Sequence, residues 1–590
     1  MDTRRTSASS GTWKSSKDIM DAMRPVAIFV VFCLTASTLS AQSTPGSTDN
    51  AGATHADWPG YGGSLFSWRY SALNQINTAN VKKLSPAWIF QTGDYAENLQ
   101  ATPIVENGTM YIITPRAQVF ALDAATGHEI WHYKYPTPRP GRPGSQAAFV
   151  QNRGVAVGGG KVIFGTNDNF LVALDEATGL ESWKVNVDDS RQCGCNITAA
   201  PLIVKDKVIV GGSGGDGAHR GYLTAFYTKT GRFAWRWYVI PGPGEKGHET
   251  WKGDSWKFGG GAPWMTGSFD PDLNLVYWGT GNAGGDFNDS DRFVGADKSK
   301  EAQLYTASVA ALDADTGKLR WYHQEVPDDE WDFDSAYECV LMDRMVNGKM
   351  RKLVVHMNKS GLTSVLDRVT GEFIGIFSVP EVQTWISGVT EDGKLVGRRE
   401  PEAGKVVNTC PSAAGAKSWN SMAYSPRTGY LYIPVNELCN DLTSNRTEPQ
   451  EGRFYANGGF SFKLPPNRTT YSHLDAWDPI TRKRVWSMPY KYVLLASVLA
   501  TAGDLVFTGD PEGDFFALDA HTGAKVWNYQ TGAGNRGSAV SYSVNGRQFI
   551  ATPTGWQQSI TGTQTAGVFP DQTWRLGSTL IVFALPEDSK

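Results

Sequence analysis

Short apolar segments that alternate with polar positions recur along the chain, and most of them lead through a Thr-Gly turn to a tryptophan. The first two are ALDAATGHEIW at residues 121–131 and ALDEATGLESW at residues 173–183. Alternation with a period of two predicts β-strands, and Thr-Gly predicts the tight turn between two of them. Full or partial copies of the pattern begin at Ala121, Ala173, Ala225, Ala311, Val365, Ala423, Ala476 and Ala517. Eight copies at intervals of mostly about 40 to 60 residues predict the repeated blades of an all-β propeller rather than separate domains.

The tryptophan that most copies carry gives the repeat a physical role. The strand after the turn carries its indole toward the neighbouring blade, so that a ring of such indoles can hold each blade to the next. The last apolar strand, residues 580–586, has no copy of its own and is expected to return to the N-terminal part of the fold. We therefore predict one eight-bladed β-propeller with tryptophan-docking repeats over residues 57–587, followed by a tail at residues 588–590.

Residues 1–41 have the pattern of an export signal. Arg24 precedes an apolar run at residues 25–34, and small residues then lead to a cleavage point near Ala41. The run is shorter than the roughly 20 residues that a membrane-spanning helix needs, although a retained membrane anchor is the alternative. Met23 lies just before Arg24 and is a possible start of translation. In that case residues 1–22 are an extension upstream of the true start. Residues 42–56 then form a flexible tether, and the mature protein is expected in the periplasm.

Charge and composition narrow the function further. The 590 residues carry a net charge of -4 and are 19% charged, so the chain has neither a basic face for nucleic acid nor an acidic tail. The most concentrated charge is DDEWDFD at residues 328–334. Carboxylates this close together repel one another, so such a run either faces solvent or surrounds a cation.

Three features together resemble the quinoprotein alcohol dehydrogenases, which use pyrroloquinoline quinone (PQQ) and include methanol and ethanol dehydrogenases. They are the repeats, the opening D-W-P-x-Y-G at residues 57–62, and G-G-G-A-P-W at residues 259–264. The resemblance extends over nearly the whole mature chain and implies a propeller that oxidises an alcohol. A non-catalytic propeller used for protein assembly is the alternative, because such scaffolds carry blade repeats too. It would have no reason to keep the site residues that follow.

The resemblance implies one metal ion, held by oxygen ligands beside the quinone. Asp216, where the family usually has Glu, and Asn282 in G-T-G-N match two of these ligands. Asp332 matches the metal-site aspartate that is the proposed general base, and Asp334 completes the D-x-D pattern of lanthanide-dependent members. An additional carboxylate is better tolerated around a trivalent ion. We expect a lanthanide, with calcium as the alternative, and we expect the acids at residues 328–330 to stay in solvent.

The cofactor contacts carry over in the same way. Arg153 in N-R-G is expected to bond the quinone, and Lys359 replaces an arginine that polarises a quinone oxygen. Trp256 is expected to stack under the planar ring. The other expected cofactor contacts are Gln100, which replaces a glutamate, Thr198, Ser213, Gly214 and Gly215. Hydroxyl groups and backbone amides suit an anionic ligand.

Departures from the family pattern predict a wide substrate pocket. The adjacent cysteines of methanol dehydrogenases are absent from residues 147–151, and Leu495 stands where a tryptophan often forms the pocket wall. Ser418 replaces an asparagine beside Trp419, the other expected pocket residue. Loss of an indole and two sulfur atoms opens space. We therefore predict an alcohol larger than methanol, such as a bulky or cyclic secondary alcohol.

The cysteines agree with an exported protein. The resemblance implies that Cys410 and Cys439 form a disulfide. Cys193 and Cys195 form either a C-x-C disulfide near the quinone or two free thiols, and Cys339 is expected to be a buried thiol. The sequence contains no C-x-x-C-H motif for covalent haem, so electrons are expected to pass to a separate periplasmic cytochrome c. Homodimer formation is left open.

Overall fold

The computed structural model describes residues 56–95, 97–136, 150–295, 297–298, 300–556, 567–572 and 575–587. The predicted signal peptide, nearly all of the predicted tether and the tail at residues 588–590 lie outside the described residues. So do residues 147–149, part of the segment in which methanol dehydrogenases have adjacent cysteines. Within the described ranges, no helix is long and apolar enough to cross a membrane.

The chain is built mainly from short strands, and the helical segments with defined bounds are α1 (Ser190–Cys193) and the 3-10 turns Val81–Lys83, His248–Thr250 and Ser255–Phe258. In chain order the strands are β1 (Tyr70–Ser71), β2 (Ser85–Gln91), β3 (Ile104–Glu106), β4 (Thr109–Ile113), β5 (Gln118–Asp123), β6 (Glu129–Lys134), β7 (Ala156–Gly158), β8 (Lys161–Gly165), β9 (Phe170–Asp175), β10 (Glu181–Asn186), β11 (Leu202–Val204), β12 (Lys207–Gly211), β13 (Tyr222–Tyr227), β14 (Phe233–Tyr238), β15 (Ser268–Asp270), β16 (Leu275–Gly279), β17 (Ser308–Asp313), β18 (Leu319–Gln324), β19 (Val340–Val346), β20 (Lys349–Met357), β21 (Leu362–Asp367), β22 (Phe373–Ser378), β23 (Gly388–Val389), β24 (Leu395–Val396), β25 (Val406–Thr409), β26 (Ala423–Ser425), β27 (Tyr430–Asn436), β28 (Cys439–Ser444), β29 (Gly458–Lys463), β30 (Ser472–Asp478), β31 (Lys483–Tyr490), β32 (Leu499–Thr501), β33 (Leu505–Gly509), β34 (Asp514–Asp519), β35 (Lys525–Gln530), β36 (Val540–Val544), β37 (Arg547–Thr554) and β38 (Thr579–Ala584).

Most of these strands form antiparallel sheets of four, each built almost entirely from neighbours along the chain. Seven of the sheets consist of β3 to β6, β7 to β10, β11 to β14, β15 to β18, β19 to β22, β26 with β27, β30 and β31, and β32 to β35 with a parallel β1. An eighth contains β36, β37, β38 and the N-terminal β2. There, Ser85 pairs with Ala584 and Gln91 with Thr579, so the last strand pairs with a strand near the start of the described chain. The predicted return of the last strand to the N-terminal part is confirmed.

In most copies of the repeat, the Thr-Gly turn joins the third strand of a sheet to the fourth. In the first copy the Asp123 carboxylate accepts hydrogen bonds from the amide (2.9 Å) and hydroxyl (2.8 Å) of Thr126, and Gly127 has a φ of +76°. Trp131 on β6 reaches the next sheet, where its Nε1 donates to the Glu176 carbonyl at 3.0 Å. Indole-to-carbonyl bonds of this kind are also made by Trp88, Trp183, Trp235, Trp321, Trp486 and Trp527.

The copy that begins at Ala423 occupies a different place. Its turn at residues 428–429 lies between β26 and β27, the first two strands of the sheet whose later strands carry the copy from Ala476. It does not mark a sheet of its own, and the eighth sheet is the one completed by β2. Thr-Gly suits any tight hairpin, so this copy, which lacks the tryptophan, could not be distinguished by its turn alone.

The topology also explains how distant residues meet. Successive antiparallel strands reverse direction, so the connections after the second and the fourth strand of a sheet lie at the same end of it. Residues 212–216 follow β12, Asn282 follows β16 and Lys359 follows β20, each a second strand. Arg153 follows β6, and the acidic segment at residues 328–334 follows β18, both fourth strands.

Candidate functional site

A cavity of about 490 Å³ lies among these connections. The predicted site residues that line it are Arg153, Thr198, Ser213, Gly214, Gly215, Asp216, Asp332, Asp334, Lys359, Trp419 and Leu495. Gln100, Trp256 and Asn282 are not among the lining residues. The lining also includes residues that the sequence did not single out as functional, of which Trp264, Asp286 and Phe454 matter most below.

Asp329 shapes the loop that carries the two aspartates of the D-x-D pattern. Its carboxylate accepts hydrogen bonds from the backbone amides of Trp331 (3.0 Å) and Phe333 (2.7 Å). Asp332, between these residues, has a φ of +63°, a left-handed conformation that costs free energy for a residue with a side chain. The bonds to Asp329 therefore hold Asp332 in an unfavourable conformation that is typical of functional sites.

The acids that precede this pattern are buried, so the expectation that they stay in solvent is wrong. Asp328 and Asp329 are 0% exposed, and Glu330 is 2% exposed. Lys298 supplies the compensating charge, because its Nζ lies 3.3 Å from Asp328 and 2.6 Å from Glu330. The lysine comes from an earlier connection, so a local run of acids could not reveal it.

Lys359 lies between Asp332 and Asp334. Its Nζ is 2.6 Å from Asp332 Oδ1 and 2.9 Å from Asp334 Oδ2. Burial raises the pKa of Asp332 well above the usual carboxyl range, and the carboxylate of Asp216 adds to this increase while Lys359 opposes it. Burial works against the charge of Lys359, but the two aspartates outweigh burial and hold the lysine pKa well above its ordinary value. A second cation beside these carboxylates is therefore electrostatically favoured.

Asn282 lies just behind the cavity wall and is 1% exposed. Its backbone amide donates to Asp334 Oδ1 at 2.9 Å, and its side-chain Nδ2 donates to Asp286 Oδ1 at 2.7 Å. Asn282 Oδ1 is only 2.6 Å from the position that a Cβ on Gly215 would occupy. Glycine at position 215 therefore allows the loops of residues 212–216, 280–286 and 328–334 to meet.

The hydroxyl groups expected to contact an anion lie along the same wall. The Ser213 hydroxyl donates to Asn196 Oδ1, and the Ser213 amide donates to the Asn196 carbonyl at 2.8 Å. The Thr198 hydroxyl is 3.5 Å from the Trp264 carbonyl. Gly214 has a φ of +110°, a conformation that favours glycine, and this turn brings the following residues to the cavity.

Arg153 and Gln100 are buried polar side chains with unused hydrogen-bonding groups. Arg153 is 3% exposed, and its Nη2 donates to Gln151 Oε1 at 3.1 Å. Its Nε and Nη1, and both amide atoms of Gln100, have no partner within the part of the chain that the structure describes. Burial lowers the pKa of Arg153 to about 10. A buried guanidinium with two unused donors suits an anionic ligand.

Two tryptophans, Trp264 and Trp419, line the cavity, and Trp256 does not. The Trp256 ring lies 5.2 Å from the Arg220 guanidinium and packs edge-on against His248, away from the lining. Trp264 lines the cavity, and the Arg153 guanidinium lies 5.0 Å from its ring centre. The sequence feature that could have identified Trp264 is the G-G-G-A-P-W motif, which ends in this residue.

The remaining wall is mostly apolar. Leu495 and Trp419 line the cavity and are 4% and 9% exposed. Several of their apolar neighbours come from the β28 to β29 region, which carries no copy of the repeat. The larger apolar neighbours are Phe287, Leu438, Phe454, Phe460, Phe462 and Val493, of which Phe287 and Val493 lie outside that region.

Both candidate disulfides are formed. Cys410 and Cys439 are joined by a bond of 2.04 Å next to the cavity-lining residues Ala413 and Leu438. Cys193 and Cys195 are joined by a bond of 1.92 Å, which decides between the two alternatives for this pair. Cys339 is a buried free thiol, as predicted.

Known proteins match this chain over most of its length. The family model described as "PQQ: Glucose/ethanol/alcohol dehydrogenase, beta-propeller domain" matches residues 58–395 and 390–550. The quinohemoprotein alcohol dehydrogenase of Comamonas testosteroni is 37% identical over 523 residues, 85% of this chain and 73% of that protein. The quinoprotein alcohol dehydrogenase PedH of Pseudomonas putida is 36% identical over 546 residues, 88% of this chain and 89% of that protein. The solved structure of a europium-containing methanol dehydrogenase has a TM-score of 0.82 at 32% identity, covering 90% of this chain and 98% of that one. These matches confirm the predicted β-propeller fold.

Proposed function

We propose a reaction for this chain, which belongs to the family of PQQ-dependent alcohol dehydrogenases. It oxidises an alcohol to the aldehyde or ketone, with Asp332 as the general base. The observation that carries this proposal is the convergence of Arg153, Asp332, Asp334 and Lys359 on one cavity. A propeller that only assembles other proteins has no use for buried, incompletely bonded polar groups of this kind at one end of its sheets.

The donor set fits PQQ, which is a planar carboxylate anion. Arg153 has two unused donors, and the hydroxyl groups of Thr198 and Ser213 lie on the same wall as the backbone of Gly214 and Gly215. Trp264 offers the planar face assigned from sequence to Trp256, and Gln100, buried with an unbonded amide within the described chain, is a further contact. When bound, PQQ accepts the hydride from the alcohol carbon.

Asp332 receives the proton from the alcohol hydroxyl. Its carboxylate lines the cavity, and burial raises its pKa well above the usual range, so it can hold that proton near neutral pH. Lys359 holds the carboxylate in place at 2.6 Å and presents its ammonium group to the same cavity. There the ammonium can stabilise negative charge that develops on an oxygen atom.

The metal of the site is a lanthanide(III) ion held by Asp216, Asn282, Asp332 and Asp334. All four offer oxygen ligands, which suit a hard cation. Three of them are carboxylates that line one cavity, and two of these, Asp332 and Asp334, form ion pairs with Lys359. Calcium is the alternative, and the short Asp216 side chain is the feature that favours it.

The substrate is an alcohol larger than methanol, with a bulky or cyclic secondary alcohol as the leading candidate. The support is the apolar wall of the cavity, where Leu495 and the neighbouring phenylalanines leave a large space. Burying the apolar body of such an alcohol against these side chains is favourable by about 25 cal/mol per Å² of apolar surface removed from water.

Electrons then leave to a soluble periplasmic cytochrome c. We assign residues 1–41 as a cleaved signal peptide and residues 42–56 as a tether, which leads to a periplasmic mature enzyme.

The eight sheets close as one eight-bladed ring over residues 57–587, in which the indole-to-carbonyl bonds act as docking contacts.

The test is reconstitution of the purified protein with PQQ and either calcium or a light lanthanide, assayed with an artificial electron acceptor. We expect lanthanide-dependent oxidation that is fastest with bulky alcohols, and we expect Asp332→Asn to bind PQQ without activity. Activity with calcium alone would overturn the metal assignment. Methanol as the best of a broad panel would overturn the substrate assignment, and inactivity with both metals across the panel would favour the scaffold.

A further inference from the structure

We propose that Asp286 is a positioning residue of the metal site, which orients the amide ligand Asn282 and adds a fourth carboxylate that favours a trivalent ion. The inference rests on the proposed metal site. It goes beyond the D-x-D pattern, because Asp286 is not one of the two aspartates of that pattern. It is also not one of the metal ligands expected from the resemblance. Asp286 lines the cavity and is 3% exposed.

The first observation is the hydrogen bond between the two side chains. Asn282 Nδ2 donates to Asp286 Oδ1 at 2.7 Å and lies 3.4 Å from the Ala283 carbonyl. An amide has a donor side and an acceptor side, so anchoring Nδ2 turns Oδ1 the other way. Oδ1 then points toward Gly215, next to Asp216. A flipped amide would present its donor side to the cation, which repels it.

The second observation is the charge balance. The carboxylates of Asp216, Asp286, Asp332 and Asp334 all line this cavity. Lys359 forms ion pairs with Asp332 and Asp334 only, and none of the ion pairs formed by the described residues reaches Asp286. Each additional carboxylate beside the metal position attracts a trivalent ion more strongly than a divalent one, so the charge of Asp286 favours the trivalent ion.

The third observation is that the side chain of the nearby Arg292 bonds to backbone carbonyls rather than to the Asp286 carboxylate. Arg292 Nη1 donates to the carbonyls of Gly284 (3.0 Å) and Gly285 (2.5 Å), and its Nη2 donates to the Asp329 carbonyl at 2.6 Å. These bonds clamp the loop that carries Asp286 to the loop that carries Asp332. The guanidinium thus fixes the backbone around Asp286 without a direct ion pair to its carboxylate, and its positive charge offsets only part of the Asp286 charge.

The experiment measures metal affinity rather than turnover. Purified protein is stripped with a chelator and titrated with Eu³⁺ in chelator-buffered solutions, with europium luminescence as the signal and Ca²⁺ affinity obtained by competition. Asp286→Asn keeps an acceptor for Asn282 Nδ2 but removes the charge. We expect it to weaken Eu³⁺ binding by about 10- to 100-fold, the range seen when groups behind metal ligands are removed, and Ca²⁺ binding by less. The preference for Eu³⁺ over Ca²⁺ therefore falls.

Two further variants separate orientation from charge. Asp286→Ala removes the acceptor as well, so both ions are expected to bind more weakly than in Asp286→Asn. Asp286→Glu keeps the charge and is expected to retain the Eu³⁺ preference. Asp291→Asn is the matched control, because Asp291 lies on the same loop but pairs with Arg446 at 2.6 Å outside the cavity lining. Its ion preference is expected to equal that of the wild type.

An unchanged Eu³⁺ to Ca²⁺ preference in Asp286→Asn, in protein whose wild type binds both ions, overturns this inference alone. If Asp286→Asn does not fold, loss of the preference in Asp286→Glu overturns it instead. A wild type that binds neither ion overturns the proposed metal site together with the inference.

Discussion

Asp334 is the single residue on which the proposed choice of metal depends. Its carboxylate contacts both the Asn282 amide (2.9 Å) and Lys359 (2.9 Å), so it joins two loops of the site. We expect Asp334→Ala to lower lanthanide-supported kcat/KM by about 100-fold or more, because a ligand and its charge are both lost. Asp334→Asn, which keeps the shape and the hydrogen-bond acceptor, tests the charge alone. Steady-state assays with each metal check this, and unchanged lanthanide-supported activity in both variants would show that Asp334 is only part of the loop.

Leu495 is the residue that leaves the substrate wall open. It is 4% exposed and lines the cavity with Trp419. We expect Leu495→Trp to fill this space and to lower kcat/KM for a bulky secondary alcohol by about 10- to 100-fold, while ethanol is oxidised as before. Leu495→Met, of similar volume, is the control and should change neither substrate by much. Equal effects on small and bulky alcohols would contradict the assignment of this wall to substrate size.

At the scale of the element, the contact between an indole and the next Thr-Gly turn can be tested within one sheet. A Cβ on Gly179 would lie 2.6 Å from Trp131 Cε3, whereas a Cβ on Gly160 would have no atom within 4 Å. Both glycines have a φ of +71°, so alanine at either position is strained by about 1–2 kcal/mol. Gly179→Ala also clashes with the indole, and overpacking of this kind costs about 1–3 kcal/mol more. Urea unfolding of the two variants measures the difference, and equal losses of stability would show that the indole contact contributes nothing.

At the scale of the whole molecule, the pairing of β2 with β38 joins the last strand to a segment near the start of the described chain. Opening this sheet would break that long-range pairing, so we expect the sheets to unfold together. A charge cluster in any one of them should then contribute to the free energy of unfolding of the whole chain.

The cluster around His473 gives that free energy a pH dependence. His473 Nδ1 lies 2.7 Å from Asp475 and Nε2 lies 2.9 Å from Glu437. Burial opposes protonation, but these two carboxylates outweigh it and raise the pKa of His473 to about 9. The folded pKa is above the unfolded value of about 6.5, so the stabilisation is complete below pH 6.5 and is lost as the pH rises through 9. We expect the His473 contribution to fall by up to about 3 kcal/mol over this window. Urea unfolding at pH 6 and pH 9 measures it, and His473→Gln should lack this component of the pH dependence.

Much of the fold and part of the site could be predicted because they depend on local patterns. Alternation, Thr-Gly turns and following tryptophans predict strands and hairpins, and the short motifs correctly brought Arg153, Asp332, Asp334 and Lys359 to one cavity. The copy at Ala423 was wrongly counted as a separate blade, because a Thr-Gly turn has the same sequence in the first hairpin of a sheet as in the last.

The errors and omissions in the site all concern partners that are distant in sequence. Whether the acids at residues 328–330 face water depended on Lys298, and the amide direction of Asn282 depended on Asp286. Among 21 tryptophans, Trp264 and Trp419 line the cavity and Trp256 does not, which depends on how the connections between strands fold. Local sequence sets which backbone conformations are low in free energy at each position. These local preferences determined the repeated sheets. Burial, charge pairing and side-chain direction are properties of contacts between loops, and these exist only once the sheets have brought the loops to the same end of the molecule.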